Sequence, residues 1–127
     1  MFDGPDPVYL QIADQIRQDV LSGALAAEEQ VMSTTQYATT FRINPATAAK
    51  AFAQLVDEGV LYKRRGVGMF VAAGARERLL AEARETFFTD TVDPVADAAR
   101  LLGIDVEDVV ARLRARAAQP APEGEIR

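Results

Sequence analysis

The chain has 127 residues and carries 14 lysines and arginines against 19 aspartates and glutamates, so its net charge at neutral pH is −5. It has no histidine, cysteine or tryptophan, which excludes histidine-dependent catalysis, cysteine nucleophiles, zinc fingers and disulfides. The longest apolar run, residues 69–73, is far shorter than the ~20 residues that cross a bilayer, and the first residues lack the basic start and apolar stretch of a signal peptide. The composition still allows a site built on carboxylates, but the sequence shows no nucleophile–base pair, no metal-ligand spacing and no glycine-rich phosphate loop outside residues 63–68. We therefore expect a small, soluble, cytoplasmic protein that is not an enzyme and has no metal, cofactor or membrane partner.

The first predicted element is an amphipathic helix over residues 8–21. Asp6-Pro7 suits its start and Gly23 suits its end. Its apolar residues recur at helical spacing and are Ile12, Ala13, Ile16, Val20 and Leu21. Residues 24–32 show no clear period and are predicted to form a connection.

Two helices separated by a short turn are predicted next. Both begin at residues suited to capping, which are Ser33 with Gln36 three residues later, and Asn44 followed by Pro45. The first helix is expected to end near Phe41, and the second to cover about 45–58. Because the turn between them is only residues 42–44, the pair is predicted to be a helix-turn-helix.

A β-hairpin is predicted after the second helix, because the hydrophobic period changes there. Residues 60–62 and 69–71 have the pattern of short strands, and the tip between them, residues 63–68, is basic and contains glycine. Three helices followed by a hairpin describe a winged helix-turn-helix domain over residues 1–73. The predicted fold class is mostly α with a small β-hairpin.

The remainder of the chain is predicted to be helical. Residues 74–118 form a short all-helical region, in which Asp93-Pro94 is typical of a helix restart and Asp105 of the start of a last helix. Residues 119–127 are expected to be a flexible tail.

Charge is distributed unevenly along the chain. Residues 42–68 carry five basic and two acidic side chains, whereas residues 74–127 carry eight arginines and eleven acids. Because phosphate contacts act within a Debye length of ~10 Å at 0.1 M salt, the acidic remainder does not prevent binding to DNA. A helix fits the major groove with its N-terminal residues at the base edges, so residues 44–50 are candidate reading residues. The cationic tip 63–65 would then contact the flanking backbone or minor groove, unless it is only a solvated turn.

One apolar stripe in the C-terminal region is too large for the winged domain alone to bury. It consists of Leu79, Leu80, Ala83, Phe87 and Phe88. The stripe packs either on later helices of the same chain or on a second copy. Because paired DNA half-sites require a twofold protein, we expect a homodimer with this stripe at its interface. The alternative is a winged-helix adaptor that binds another protein through Phe87 and Phe88.

Five sequence blocks, in order over residues 7–71, resemble those of GntR-type bacterial transcription regulators. In this chain the blocks read PVYLQI at 7–12, MSTTQYA at 32–38, NPATAAKAF at 44–52, LVDEGVL at 55–61 and RRGVGMFV at 64–71. The corresponding family patterns are P-x-Y-x-Q-I, P-S-x-R-x-L-A, N-P-x-T-V-x-R-A-Y, L-x-x-x-G followed by two hydrophobic residues, and R-R-G-x-G-x-F-V. The resemblance implies a winged helix-turn-helix that binds operator DNA. The short helical C-terminal part is similar to that of the YtrA-like subgroup, whose small tail dimerises.

The resemblance also implies DNA contacts at the matched positions. They are Ser33, Thr35, Asn44, Thr47, Lys50, Arg65 and Gly66, to which charge and position add Arg64. For several of them a structural role is the alternative: Ser33 and Asn44 can serve as helix caps only, and Gly66 as a turn residue only.

Some positions depart from the family pattern. Thr35 and Lys50 stand where the family has arginine, and Ala27-Glu28 replaces a Pro-Gly pair in the loop before the helix that begins at Ser33. A hydroxyl can still reach a phosphate, but lysine is a point charge without the planar fork of arginine.

These observations favour a sequence-specific DNA-binding repressor. It would occupy a twofold operator as a homodimer, with the helix at about 45–58 in the major groove and the wing at 62–69 on the flanking backbone or minor groove. The operator, the target genes and any small-molecule effector are not specified by the sequence.

Overall fold

The computed structural model describes Phe2 and residues 4–120. Its elements in chain order are α1 (Val8–Ser22), α2 (Thr34–Phe41), α3 (Pro45–Asp57), β1 (Leu61–Arg64), β2 (Gly68–Val71), α4 (Ala75–Phe87), a π-helical turn (Phe88–Val92), α5 (Asp93–Leu102) and α6 (Val106–Ala117). The mostly helical fold with one small hairpin that the sequence predicts is confirmed. Within the described residues, every helix is too short or too polar to cross a membrane.

Local capping residues mark the starts of α2 and α3 and the end of α1. The Ser33 hydroxyl oxygen accepts a hydrogen bond of 3.0 Å from the Gln36 amide, and the Asn44 side-chain oxygen accepts one of 2.8 Å from the Ala46 amide. At the end of α1, Gly23 adopts φ +87°, a left-handed conformation that costs glycine little. The helix boundaries predicted from these residue types are therefore confirmed to within one or two positions.

The core of the winged unit is built mainly by α1 and α3. Both helices bury an apolar stripe, and the buried residues are Ile12, Ala13, Ile16 and Val20 from α1 and Ala48, Ala51, Phe52 and Leu55 from α3. Alanines on both stripes let the two helices approach closely, while the Phe52 ring fills the space towards α2, where it meets the Tyr37 ring edge-on at 5.5 Å.

The hairpin pairs Leu61 with Val71 and Arg64 with Gly68 in an antiparallel register. A third segment, residues 28–31, lies along the other edge of β2 and is held by three backbone hydrogen bonds of 2.9 Å. The sequence predicts only a connection here, because so short a segment has no recognisable alternation of polar and apolar residues.

The first turns of α4 are attached to the winged unit. Arg76 donates a hydrogen bond of 2.9 Å to the Leu21 carbonyl, Arg78 donates one to the Gly59 carbonyl, and Leu79 is buried in the core. The chain divides into two compact units, of which the first ends at Leu79 and the second begins at Leu80.

The second unit contains a helix that continues where a new start was expected. The Asp93 amide donates to the Phe88 carbonyl, five residues earlier, and no side chain caps α5. The helix thus passes through the π-helical turn instead of restarting at Asp93-Pro94. The wider turn lies directly before Pro94, whose ring would clash with the Asp90 carbonyl in a regular α-helix. The Asp105 cap of α6 is present, and residues 121–127 of the expected tail lie outside the described residues.

One ion pair joins the end of α3 to α1. Arg17 donates to both carboxylate oxygens of Glu58, at 2.9 and 2.7 Å, and this hydrogen bonding lowers the pKa of Glu58 below its ordinary value of 4.5. A lowered pKa in the folded state means that the pair stabilises the fold above about pH 4.5. The contribution is lost as the pH falls through the lowered pKa of the folded protein.

We expect Glu58→Gln to reduce the free energy of unfolding at pH 7 by about 1 kcal/mol, a value discounted for partial exposure to solvent. Urea unfolding at a series of pH values measures this difference, which should shrink steadily below about pH 4.5. Asp14→Asn is the control, because the Asp14 carboxylate also contacts Arg17 but is 66% exposed. A difference between wild type and Glu58→Gln that stays constant down to pH 3 would contradict this assignment.

Candidate nucleic-acid interface

Three of the predicted contact residues lie at the start of α3 and in its first turns, where Asn44 and Lys50 are exposed and Thr47 is half-buried. Asn44, Thr47 and Lys50 follow one another at intervals of three residues, so they occupy successive turns of the same helix face. Ala48 and Ala51, which point inwards from the same helix, are fully buried. Because the opposite face is held in the core, this stripe is the part of α3 that a duplex could reach.

The Asn44 cap leaves part of the side chain available for recognition. Its carbonyl oxygen accepts from the Ala46 amide, whereas its amide nitrogen makes no hydrogen bond to any described residue. A cap and a contact are therefore compatible at this position, since the free amide group can donate to a base edge or phosphate.

Lys50 is held by an aromatic ring of the first helix. Its Nζ atom lies 4.1 Å from the centre of the Tyr9 ring, which is within the range of a cation–π interaction. This contact directs the ammonium group on the exposed face of α3 and restricts its rotamers. The contact joins residues 41 positions apart, so local sequence patterns do not reveal it.

The start of α2 carries the other two predicted helix residues. Ser33 caps this helix and is exposed, as is Thr35 in its first turn. Backbone amides at a helix N-terminus and the exposed hydroxyl groups are suited to a phosphate. This arrangement keeps Thr35 as a candidate in the place of the arginine that the family pattern carries.

The wing tip is a tight turn with its cations exposed. The Val67 amide donates to the Arg64 carbonyl at 2.9 Å, and Gly66 adopts φ +76° inside the turn. Arg65 projects from this turn into solvent. The Arg64 guanidinium lies 4.9 Å from the centre of the Phe70 ring, so Arg64 is stacked on the wing while Arg65 extends beyond it.

The base of the wing is tied to the loop before α2. Tyr62 stacks on Phe70 with 5.8 Å between ring centres, and its hydroxyl donates to the Glu28 carboxylate at 2.5 Å. This hydrogen bond raises the pKa of Tyr62. Glu28 itself has φ +69°, so it occupies a left-handed position of the kind that glycine adopts without strain.

Among the described residues, no carboxylate forms an ion pair with the cations of this surface. Ion pairs within the described residues involve only Arg17 and Arg100, so Arg42, Lys50 and the wing cations have no described carboxylate within 4.0 Å. Glu58, one of the two acids in the segment 42–68, is bound by Arg17. The described residues also contain no group of three or more His, Cys, Asp or Glu side chains placed to hold a metal ion.

The sequence over residues 8–71 matches the family described as "Bacterial regulatory proteins, gntR family". This segment covers α1 to β2, and thus contains both the helix-turn-helix and the wing. The chain belongs to the GntR family.

Two relatives show how far this similarity extends. The chain is 36% identical over 76 residues to the HTH-type transcriptional repressor NagR of Bacillus subtilis, with 60% of this chain and 31% of NagR covered. It is 28% identical over 101 residues to the HTH-type transcriptional repressor YtrA of the same organism, with 80% of this chain and 77% of YtrA covered. The chain thus spans about a third of the length of NagR but most of YtrA, and the predicted resemblance to the YtrA-like subgroup is confirmed.

Among solved structures, too, one is similar to nearly the whole chain and another to the winged unit alone. A transcriptional regulator from Oenococcus oeni is 25% identical, covers 93% of this chain and is itself covered to 97%, with a TM-score of 0.75. The DNA-binding domain of AraR in complex with operator ORX1 is 28% identical, covers 57% of this chain and is covered to 93%, with a TM-score of 0.53. The winged unit of this GntR protein is therefore similar to a domain that has been solved on operator DNA.

Proposed function

We propose that this GntR-family protein is a sequence-specific transcriptional repressor that binds a twofold operator as a homodimer. The recognition helix α3 enters the major groove, and the wing tip contacts the flanking backbone or minor groove. The contact residues in this proposal are those that the sequence predicts, namely Ser33, Thr35, Asn44, Thr47, Lys50, Arg64, Arg65 and Gly66. A cytoplasmic location follows from this function.

The observation that carries the proposal is the common exposure of cations from α3 and the wing in a chain of net charge −5. Lys50, Arg64 and Arg65 are exposed, and each is located by a backbone turn or an aromatic ring. Oriented cations on a fold otherwise rich in carboxylates favour a polyanion as the ligand of this one surface.

The dimer is proposed from the second unit. An apolar cavity of about 420 Å³ opens between the π-helical turn, α5 and α6. Its lining includes Phe87, Phe88, Val95, Val106 and Leu113, all of them exposed to solvent in one chain. An apolar surface of this kind is typical of a protein interface.

The five residues expected at this interface do not all remain candidates for it. Leu79 is buried in the winged unit and Leu80 is half-buried, whereas Ala83, Phe87 and Phe88 are exposed. We therefore centre the proposed dimer contact on Phe87 and Phe88, whose rings meet edge-on at 5.3 Å. A small-molecule effector would act at the same surface, by changing how strongly two copies associate.

We expect Lys50→Ala and Arg65→Ala each to weaken DNA binding and to lower the salt dependence. Each removed phosphate contact should change the slope of log K against log salt by about 0.9. Fluorescence anisotropy over a salt series measures this, with a duplex that wild type has selected from a random-sequence pool. Arg112→Ala is the matched control, because Arg112 is an exposed cation on α6. Wild-type affinity and slope in both variants would contradict the proposed interface.

We expect Phe88→Asp to convert the proposed dimer to a monomer. Phe88 is 66% exposed in one chain, and burying two such side chains contributes at least about 3 kcal/mol, or about a hundredfold in the dissociation constant of the dimer. Sedimentation velocity measures the change. Leu101→Asp is the control, because Leu101 is 86% exposed but does not line the cavity.

The Phe88→Asp variant also tests the adaptor alternative, when its binding to duplexes and to protein partners is compared with that of wild type. A wild-type protein that is monomeric and ignores every duplex, but loses a protein partner on Phe88→Asp, would favour the adaptor. A dimer that persists in Phe88→Asp would place the interface elsewhere.

A further inference from the structure

Gln30 lies outside the two strands of the hairpin, yet its side chain reaches the tip of the wing. Its backbone forms an antiparallel bridge with Phe70 on β2. Its side-chain amide donates a hydrogen bond of 3.1 Å to the Val67 carbonyl, across 37 positions of sequence. Val67 is the last residue of the turn that carries Arg65 and Gly66, so Gln30 binds the wing where it projects furthest into solvent.

Gly68 makes room for this contact. A Cβ atom built at Gly68 would lie 2.6 Å from the Nε2 atom of Gln30, closer than Cβ atoms approach other atoms in proteins. Gly68 also has φ +146°, which side-chain-bearing residues rarely adopt. The Gln30 amide therefore occupies the space in which a Cβ atom at position 68 would lie, and Gly68 is compatible with this placement because it has no side chain.

The direction of the side chain follows from the pairing of the strands. Gln30 is opposite Phe70, and Phe70 is opposite Tyr62, so these three side chains share one face of the sheet. Glu28 and Arg64, two residues away from Gln30 and Tyr62, belong to the same face. Two side chains of one short segment thus hold the wing: Glu28 binds Tyr62 at its base, and Gln30 binds Val67 at its tip.

We propose that Gln30 is a positioning residue of the DNA interface, which acts by fixing the wing tip that presents Arg65. This inference rests on the proposed function, because it requires the wing to contact DNA. Gln30 itself touches no phosphate in this proposal. By restricting the wing tip before binding, Gln30 lowers the conformational entropy that is lost when Arg65 contacts DNA, and affinity is higher as a result.

The test is a double-mutant cycle between Gln30 and Arg65, measured as affinity for a duplex that wild type has selected from a random pool. Gln30→Ala should weaken binding about three- to tenfold, which is the range expected for one neutral hydrogen bond. In the Arg65→Ala background the same substitution should change affinity by less than about twofold, because the group that it positions is absent. Gln30→Glu, which replaces the donor by a charged acceptor, should weaken binding at least as much as Gln30→Ala, because the added carboxylate also repels phosphate.

Two controls separate positioning from general damage to the fold. Gln18→Ala removes an exposed glutamine on α1 whose side chain makes no hydrogen bond to a described residue, and should bind as wild type. Hydrogen exchange of the Val67 amide should rise in Gln30→Ala while exchange in the α1–α3 core stays unchanged.

The outcomes distinguish this proposal from the one on which it rests. If Arg65→Ala weakens binding but Gln30→Ala does not, or if the two losses add, the Gln30 proposal fails and the wing contact stands. If Arg65→Ala leaves the affinity unchanged, both the wing contact and the role of Gln30 are overturned. Loss of protection throughout the core of Gln30→Ala would make Gln30 a residue of general stability and would likewise overturn the proposal.

Discussion

The packing of α1 against α3 determines which side of α3 faces solvent. Ala48, Ala51 and Phe52 are almost completely buried in the core, and α3 cannot rotate to expose other residues without withdrawing these from it. The stripe of Asn44, Thr47 and Lys50 is outward-facing as a consequence. The packing of the core therefore fixes the orientation of polar groups that are not themselves part of the core.

The same constraint extends to individual side chains on the surface. Tyr9 belongs to α1 but its ring lies beneath the Lys50 ammonium group of α3, so the close approach of the two helices also places a cation. In the wing, Phe70 is buried between β1 and the segment 28–31 and provides the ring on which Arg64 lies. Aromatic rings thus restrict two of the cations that would otherwise be freely rotating chains, which lowers the entropy lost on binding.

Much of the winged unit could be predicted because its determinants are local. Helix caps such as Ser33 and Asn44, the glycine that ends α1 and the periodic apolar stripes all depend on residues within one or two turns. The residues that were missed depend on distant partners. Gln30 and Tyr9 gain their roles only when segments 37 and 41 positions apart are brought together. Leu79 could not be assigned to the winged core from its position in an amphipathic stripe, because the stripe gives a face but not the surface against which that face packs.

The helix through Pro94 illustrates a different limit. An aspartate followed by proline is typical of a helix start, and here the same pair occurs within a helix that continues across a π-helical turn. Local preference allows both arrangements, because a wider turn removes the clash that proline causes in a regular helix. The residue pair itself therefore does not determine which of the two arrangements forms.

The second unit buries very little apolar surface within one chain. Between Leu80 and Pro120 only Ala99 is buried, while Leu80, Val109 and Val110 are half-buried and the larger apolar side chains are exposed. A unit of this size that buries one alanine has little hydrophobic free energy with which to offset the entropy of ordering its helices. Association of two copies through the exposed phenylalanines would provide the missing burial. For this unit, the proposed dimer and the folding of the helices are therefore one equilibrium, and its helicity should depend on protein concentration in the same way as its mass.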